Sequence, residues 1–68
     1  MIGYVKKWIS DRGFGFITGQ DGKEYFVHFS SIEGDGRRDL QENENVEFDT
    51  TPSQKPGKQD QAVNVKRI

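Results

Sequence analysis

Five short segments of the chain alternate apolar and polar residues, and residues typical of turns separate them. Such alternation predicts β-strands, because successive side chains of a strand point to opposite faces. Helical periodicity is weak throughout the chain. The predicted strands are Ile2–Ile9, Phe14–Thr18, Lys23–Phe29, Asn45–Thr50 and Ala62–Lys66.

The turns between these segments indicate how the strands connect. Asp21-Gly22 is a strong hairpin signal, so the second and third strands are expected to pair antiparallel. Ser30 and Glu33 have the spacing of a helix capping box, but Gly34 leaves room for at most one helical turn, which lets Ile32 reach the core. Five short strands with almost no helix predict an all-β fold, a five-stranded antiparallel barrel, because closure protects the sheet edges.

The alternation also assigns each strand an inner and an outer face. Val5, Ile17 and Val27 are the natural core residues of the first three strands, and Tyr25 and Phe48 are expected in the core as well. The outward neighbours then form a patch with Lys6 and Arg12 beside it, which consists of Trp8, Phe14, Phe16, Phe26 and His28. The inverted assignment stays open as an alternative, although it would bury the only histidine and expose Ile17 and Val27.

The composition allows one small domain, predicted to span residues 1–68, with a modest core. Apolar and charged residues each make up 31%, yet eight residues are aromatic: one Trp, two Tyr and five Phe. In a chain this polar, rings clustered on one surface indicate a binding surface. Cysteine is absent and no apolar run approaches the length of a membrane span. We therefore expect a cytoplasmic protein with no cofactor, no metal, no membrane association and no small-molecule substrate.

The charge distribution bears on the partner. A net charge of −1 argues at first against nucleic acid. However, acidic residues dominate 33–49, whereas Lys6, Lys7 and Arg12 stand near the paired phenylalanines, so one face can be basic. Exposed rings can stack on bases and neighbouring cations can hold phosphates. Because duplex bases are already stacked, this pattern predicts binding to single strands.

Two motifs resemble a known family. Arg12-Gly13-Phe14-Gly15-Phe16-Ile17 and Tyr25-Phe26-Val27-His28-Phe29 resemble the two ribonucleoprotein motifs of the bacterial cold-shock proteins, and the resemblance spans essentially the whole chain. It implies an OB-fold barrel that binds single-stranded RNA and single-stranded DNA, in a family whose members act as RNA chaperones or affect transcription termination and translation. It also implies residue roles: base stacking by Phe14, Phe16, Phe26, His28 and Phe29, phosphate contact by Lys6 and Arg12, and a polar base contact by Gln61.

Several positions depart from that family pattern or modify it. The family usually has Lys-Trp-Phe in the first strand, so Lys7 here takes the tryptophan position and exchanges one stacking ring for a charge. Arg37 stands where a loop aromatic is common and can stack through its guanidinium plane. Lys58 lies in a longer loop and is either a phosphate contact or an ordinary solvated charge. Phe29 has the inward parity of its strand and is expected mainly in the core, with one edge at the patch.

Other assignments remain open at this level. An RNA recognition motif shares the Arg-Gly-Phe-Gly-Phe pattern but needs two helices and the opposite motif order. A barrel of this kind could also present its rings to a partner protein. An enzyme is disfavoured because His28 has no visible nucleophile partner. A monomer is expected, with a dimer as the alternative.

Overall fold

The chain folds into five strands and one short 3₁₀ turn, in a computed structural model that describes residues 1–33, 39–52 and 59–68. The elements are β1 (Ile2–Ile9), β2 (Phe14–Gly19), β3 (Glu24–His28), the 3₁₀ turn (Phe29–Ser31), β4 (Asn45–Thr51) and β5 (Gln61–Arg67). These bounds confirm the five predicted strands to within one residue at either end. No helix in the described ranges is long and apolar enough to cross a membrane.

The strands close into a barrel in the order β1-β2-β3-β5-β4, and β4 pairs back to β1. The β1–β2 and β2–β3 pairs are antiparallel, and the second of these confirms the prediction from Asp21-Gly22. One pairing departs from the expected all-antiparallel arrangement, since β3 and β5 run parallel where Phe26 meets Gln61. The long connection between these two strands permits the parallel contact, which a tight hairpin would not.

The barrel interior is filled by apolar side chains from every strand. The buried residues are Val5, Ile17, Tyr25, Val27, Ile32, Leu40, Val46, Phe48, Ala62 and Val65. Val5, Ile17 and Val27 have no exposed surface, which confirms the sequence-based choice of inner face and excludes the inverted one. Ile32 enters the core directly after the 3₁₀ turn, as the short capping segment predicted.

A β-bulge in β1 changes which of its residues face outward. Val5 pairs with Ile17, and Lys7 pairs with Phe16, the residue directly before Ile17 in β2. Lys6 is therefore one extra residue in β1. Beyond the bulge, Lys7 therefore points outward and Trp8 inward, the reverse of a regular strand. The pattern along β1 alone does not reveal this bulge, because the bulge exists only in the pairing with β2.

The side chain of Asp21 holds the β2–β3 hairpin. Gly22 supplies the positive φ, 84°, that this turn requires. Asp21 Oδ1 accepts a hydrogen bond from the Lys23 backbone N–H at 3.0 Å, and Oδ2 accepts one from the Tyr25 hydroxyl at 2.5 Å. The Tyr25 hydrogen bond, followed by the Lys23 one, lowers the pKa of Asp21, and the bond to Asp21 raises the pKa of Tyr25 to about 12.

We expect acid to weaken the fold through this pair. The pKa of Asp21 is lower in the folded chain than its ordinary value of 3.8, so the stabilisation is complete above that value and is lost as the pH falls through the folded-state pKa. Melting curves should show the Tm difference between wild type and Tyr25→Phe shrinking below about pH 4. A Tm difference that stays constant with pH would contradict this expectation.

Candidate nucleic-acid interface

The outer face of the first three strands consists of rows of paired residues. Residues directly opposite each other in neighbouring strands share a face, so the pairings define the rows. Two rows carry most of the predicted site: Lys7–Phe16–Phe26–Gln61 and Ile9–Phe14–His28. The pairings therefore bring residues from four strands onto one continuous surface.

Three phenyl rings form the centre of this surface, and we call them the ring triad: Phe14, Phe16 and Phe26. Their centroids are separated by 5.5 Å for Phe14–Phe26, 6.0 Å for Phe16–Phe26 and 6.3 Å for Phe14–Phe16. Two contacts are edge-to-face and the third is tilted by 31°, which are favourable ring geometries. Each ring is half-buried, so its neighbours anchor it while part of its surface stays open to solvent.

His28 continues the surface beyond the triad, opposite Phe14. Its Nδ1 accepts a hydrogen bond from the Ser30 backbone N–H at 3.3 Å and lies 2.9 Å from the Ser30 hydroxyl. Because Nδ1 accepts this hydrogen bond from the backbone, the ring proton is assigned to Nε2. The imidazole is thus oriented by the turn that follows β3, with Nε2 as a hydrogen-bond donor.

Phe29 lies outside the core, and the expectation that it is mainly buried is wrong. Its side chain is 42% exposed, and its ring centroid is 4.5 Å from that of His28. Because β3 ends at His28 and the chain enters the 3₁₀ turn, strand alternation does not extend to Phe29. The ring packs over Gly13, where an added Cβ would come within 2.8 Å of it. Phe29 therefore lengthens the aromatic surface.

The two lysines of β1 differ in their availability. Lys7 is exposed and stands directly opposite Phe16. Lys6, the bulge residue, is ion-paired with Glu24 of β3, whose other oxygen accepts a hydrogen bond from Gln59 Nε2 at 3.2 Å. The hydrogen bond and the charge of Glu24 raise the pKa of Lys6, and Lys6 in turn lowers the pKa of Glu24. Lys7 is therefore the more available cation beside the triad.

Arg12 lies in the turn between β1 and β2, at the other end of the aromatic surface. It lines an open cavity together with Phe29, Asp11 and Asp39. Arg12 and Phe29 therefore border the same open space. The two carboxylates make this end of the surface less basic than the end at Lys7.

Trp8 faces the barrel interior, which corrects its assignment to the outer patch. The bulge places it opposite Gly15, and its ring packs against the core. An added Cβ on Gly15 would come within 2.7 Å of the indole, so Trp8 covers the side of β2 that Gly15 leaves bare. Its Nε1 is buried and has no hydrogen-bond partner within the described part of the chain. Trp8 therefore supports the ring triad from behind, and its fluorescence would report a ligand only indirectly.

One protein family matches the chain over its whole length. The family model described as the 'Cold-shock' DNA-binding domain matches residues 1–68. The chain belongs to the cold-shock domain family. Proteins of this family bind nucleic acids, in agreement with the two motifs that carried the resemblance at the level of sequence.

Individual relatives of this cold-shock domain cover nearly its full length. It is 48% identical over 63 residues to Cold shock protein 1 of Lactiplantibacillus plantarum, which covers 93% of this chain and 91% of that protein. It is 43% identical over 68 residues to Cold shock-like protein CspC of Bacillus cereus, with 100% of both chains covered. The solved structure "drosophila Unr CSD456" matches with a TM-score of 0.70 and 24% identity over 98% of this chain and 26% of that chain. The last match supports the barrel fold alone.

Two predicted site residues of the cold-shock domain are not described by the structure, and two residues of the surface were not predicted from the sequence. Arg37 and Lys58 lie outside the described residues, so their predicted roles stay predictions. Sequence reasoning missed Glu24, although its alternation with Phe26 and His28 already places it on the outer face of β3. It also missed Ile9, which lies opposite Phe14 only because the bulge shifts the register.

Proposed function

We propose that this cold-shock domain binds single-stranded RNA and single-stranded DNA by stacking unpaired bases on the ring triad and on His28 and Phe29. Lys7 and Arg12 hold phosphates, Lys6 contributes less because of Glu24, and Gln61 offers a polar contact beside Phe26. The observation that carries the proposal is the ring triad, three mutually packed rings on the outside of a barrel whose core other residues fill.

The spacing of the rings favours bases that are separated from one another. The triad centroids lie 5.5 to 6.3 Å apart, whereas stacked bases rise by about 3.4 Å per nucleotide. A strand whose bases stack on protein rings is therefore extended, and its bases are withdrawn from pairing. We propose on this basis that the protein acts in the cytoplasm as an RNA chaperone, and that the same action regulates transcription or translation.

The proposal is tested by the anisotropy of a fluorescently labelled oligonucleotide. We expect a labelled single strand to bind, and its unlabelled complement to release it from the protein as the duplex forms. Equal affinity for the single strand and the duplex would contradict stacking. If neither the single strand nor the duplex binds at protein concentrations well above the Kd values typical of OB-folds, a protein partner for the rings is favoured instead.

We expect the salt dependence of binding to distinguish the two lysines. For single strands, log affinity falls with log salt concentration by about 0.7 per phosphate contact. Lys7→Ala should therefore reduce the slope by about 0.7, and Lys6→Ala should reduce it by clearly less, because Glu24 already neutralises Lys6 in the free protein. Slopes measured for wild type and both variants check this. Equal reductions would show that the Lys6–Glu24 pair opens on binding.

A further inference from the structure

Tyr4 is an exposed aromatic residue that neither the motifs nor the ring triad accounts for. Its side chain is 45% exposed. It lies opposite Thr18 of β2, which in turn lies opposite Glu24 of β3, and on its other side it lies opposite Asn45 of β4. Val5, the next residue, is fully buried, so Tyr4 points to the outer face. Tyr4 therefore belongs to the row next to the one that holds Lys7, Phe16 and Phe26.

The distance between Tyr4 and the triad suits one further nucleotide. Phe16 is two residues from Thr18 along β2, so Tyr4 and Phe16 are diagonal neighbours, about 7–8 Å apart between Cα atoms. This backbone separation is about twice the rise of stacked bases, roughly 3.4 Å, so it accommodates one further nucleotide of an extended strand. An extended strand that leaves Phe16 across β1 would therefore bring its next base over Tyr4.

The charges around Tyr4 also suit nucleic acid. Lys6 lies between the Tyr4 row and the triad row, and its ammonium is bonded to Glu24. Lys6 follows Tyr4 by two residues and both residues are exposed, so the Tyr4 ring and the Lys6–Glu24 ion pair lie on the same face. The carboxylate of Glu24 is thus compensated, and Asn45 on the other side is neutral. A phosphate beside Tyr4 therefore meets no uncompensated carboxylate within its row.

We infer that Tyr4 is an additional stacking platform for one unpaired nucleobase, so that the bound strand extends from Phe16 across β1 towards β4. This inference rests on the proposed function and enlarges its site. The other occupant to consider is a protein, because Ile2, two residues before Tyr4, is exposed, and the exposed Ile68 donates its backbone N–H to the carbonyl oxygen of Asn45, which lies opposite Tyr4. Continuity with the ring triad favours the base.

The test uses a ladder of oligothymidylates that grow by one nucleotide from about 4, the lower end of OB-fold site sizes. The variants are Tyr4→Ala, Tyr4→Phe, which keeps the ring, and Ile2→Ala, which removes a neighbouring exposed apolar side chain. We expect wild type to gain at least about fivefold in affinity at the length that reaches Tyr4. Tyr4→Ala should lack this step, whereas Tyr4→Phe and Ile2→Ala should retain it.

A retained step in Tyr4→Ala would overturn the inference, and so would its loss in Ile2→Ala. Phe14→Ala separates this failure from that of the proposed function: it should weaken binding at every length, and if it does not, the stacking proposal itself fails. A change in sedimentation of Tyr4→Ala without loss of the step would assign the surface to a protein contact. Ring resonances of Tyr4 in the wild-type protein give a readout that needs no variant, and they should shift only with the longer oligonucleotides.

Discussion

Phe26→Ala is expected to weaken the binding of single-stranded oligonucleotides by roughly 1–3 kcal/mol, the usual loss when one stacking ring is removed. Phe26 contacts both other rings of the triad and lies beside Gln61, so its loss removes one platform and loosens two. Phe14→Ala should weaken binding by a comparable amount. The double variant should lose less than the sum, because Phe26→Ala already loosens the Phe14 ring that it contacts. Titrations monitored by the anisotropy of a labelled strand measure these losses.

Val27→Ala is the matched control for Phe26→Ala, because the two residues are neighbours in β3 on opposite faces. Val27 is fully buried, so its truncation should reduce the free energy of unfolding by about 2 kcal/mol and leave the affinity of the folded protein unchanged. Phe26→Ala should show the reverse profile, with only a small loss of stability. If both variants lost stability alike and bound equally well, the rings would serve packing and the proposed function would be wrong.

Gly15→Ala is expected to destabilise the barrel by about 3 kcal/mol, at the upper end of the cost of overpacking. An added Cβ would lie 2.3 Å from the Lys7 carbonyl oxygen and 2.7 Å from the Trp8 ring. The carbonyl belongs to the β1 backbone and cannot move without disturbing its pairing with β2. For a domain of this size, the expected loss corresponds to a fall in Tm of more than about 10 °C, which thermal unfolding monitored by circular dichroism measures.

Gly22→Ala separates this steric effect from the general effect of replacing a glycine. An added Cβ on Gly22 meets no atom within 4 Å, but its φ of 84° is unfavourable for alanine. The variant should therefore lose only about 1 kcal/mol. A Gly15→Ala variant that is as stable as Gly22→Ala would mean that the Lys7 carbonyl and the Trp8 ring do not approach Gly15 this closely, and the placement of β1 against β2 would be wrong.

Local patterns were sufficient for most of the fold. Strand alternation identified all five strands, and Asp21-Gly22 identified the β2–β3 hairpin, because both signals arise from the geometry of neighbouring residues. The buried positions Val5, Ile17 and Val27 followed from the same alternation. The parallel contact of β3 with β5 did not, because it depends on how the barrel closes between segments that are distant along the chain.

The predicted outward direction of the site residues was correct in the regular strands and wrong for Trp8, whereas Phe29 was wrongly expected in the core. Phe14, Phe16, Phe26 and His28 lie in uninterrupted strands, so the sequence by itself determined that they share the outer face. Trp8 follows a bulge and Phe29 follows the end of a strand, so only the tertiary structure decided their directions. A bulge is a mismatch between two paired strands. The sequence of the strand that carries the extra residue therefore does not show where the bulge occurs. The same pairing decided that Lys7 stands beside the rings and that Glu24 holds Lys6, since contacts across strands depend on register rather than on composition.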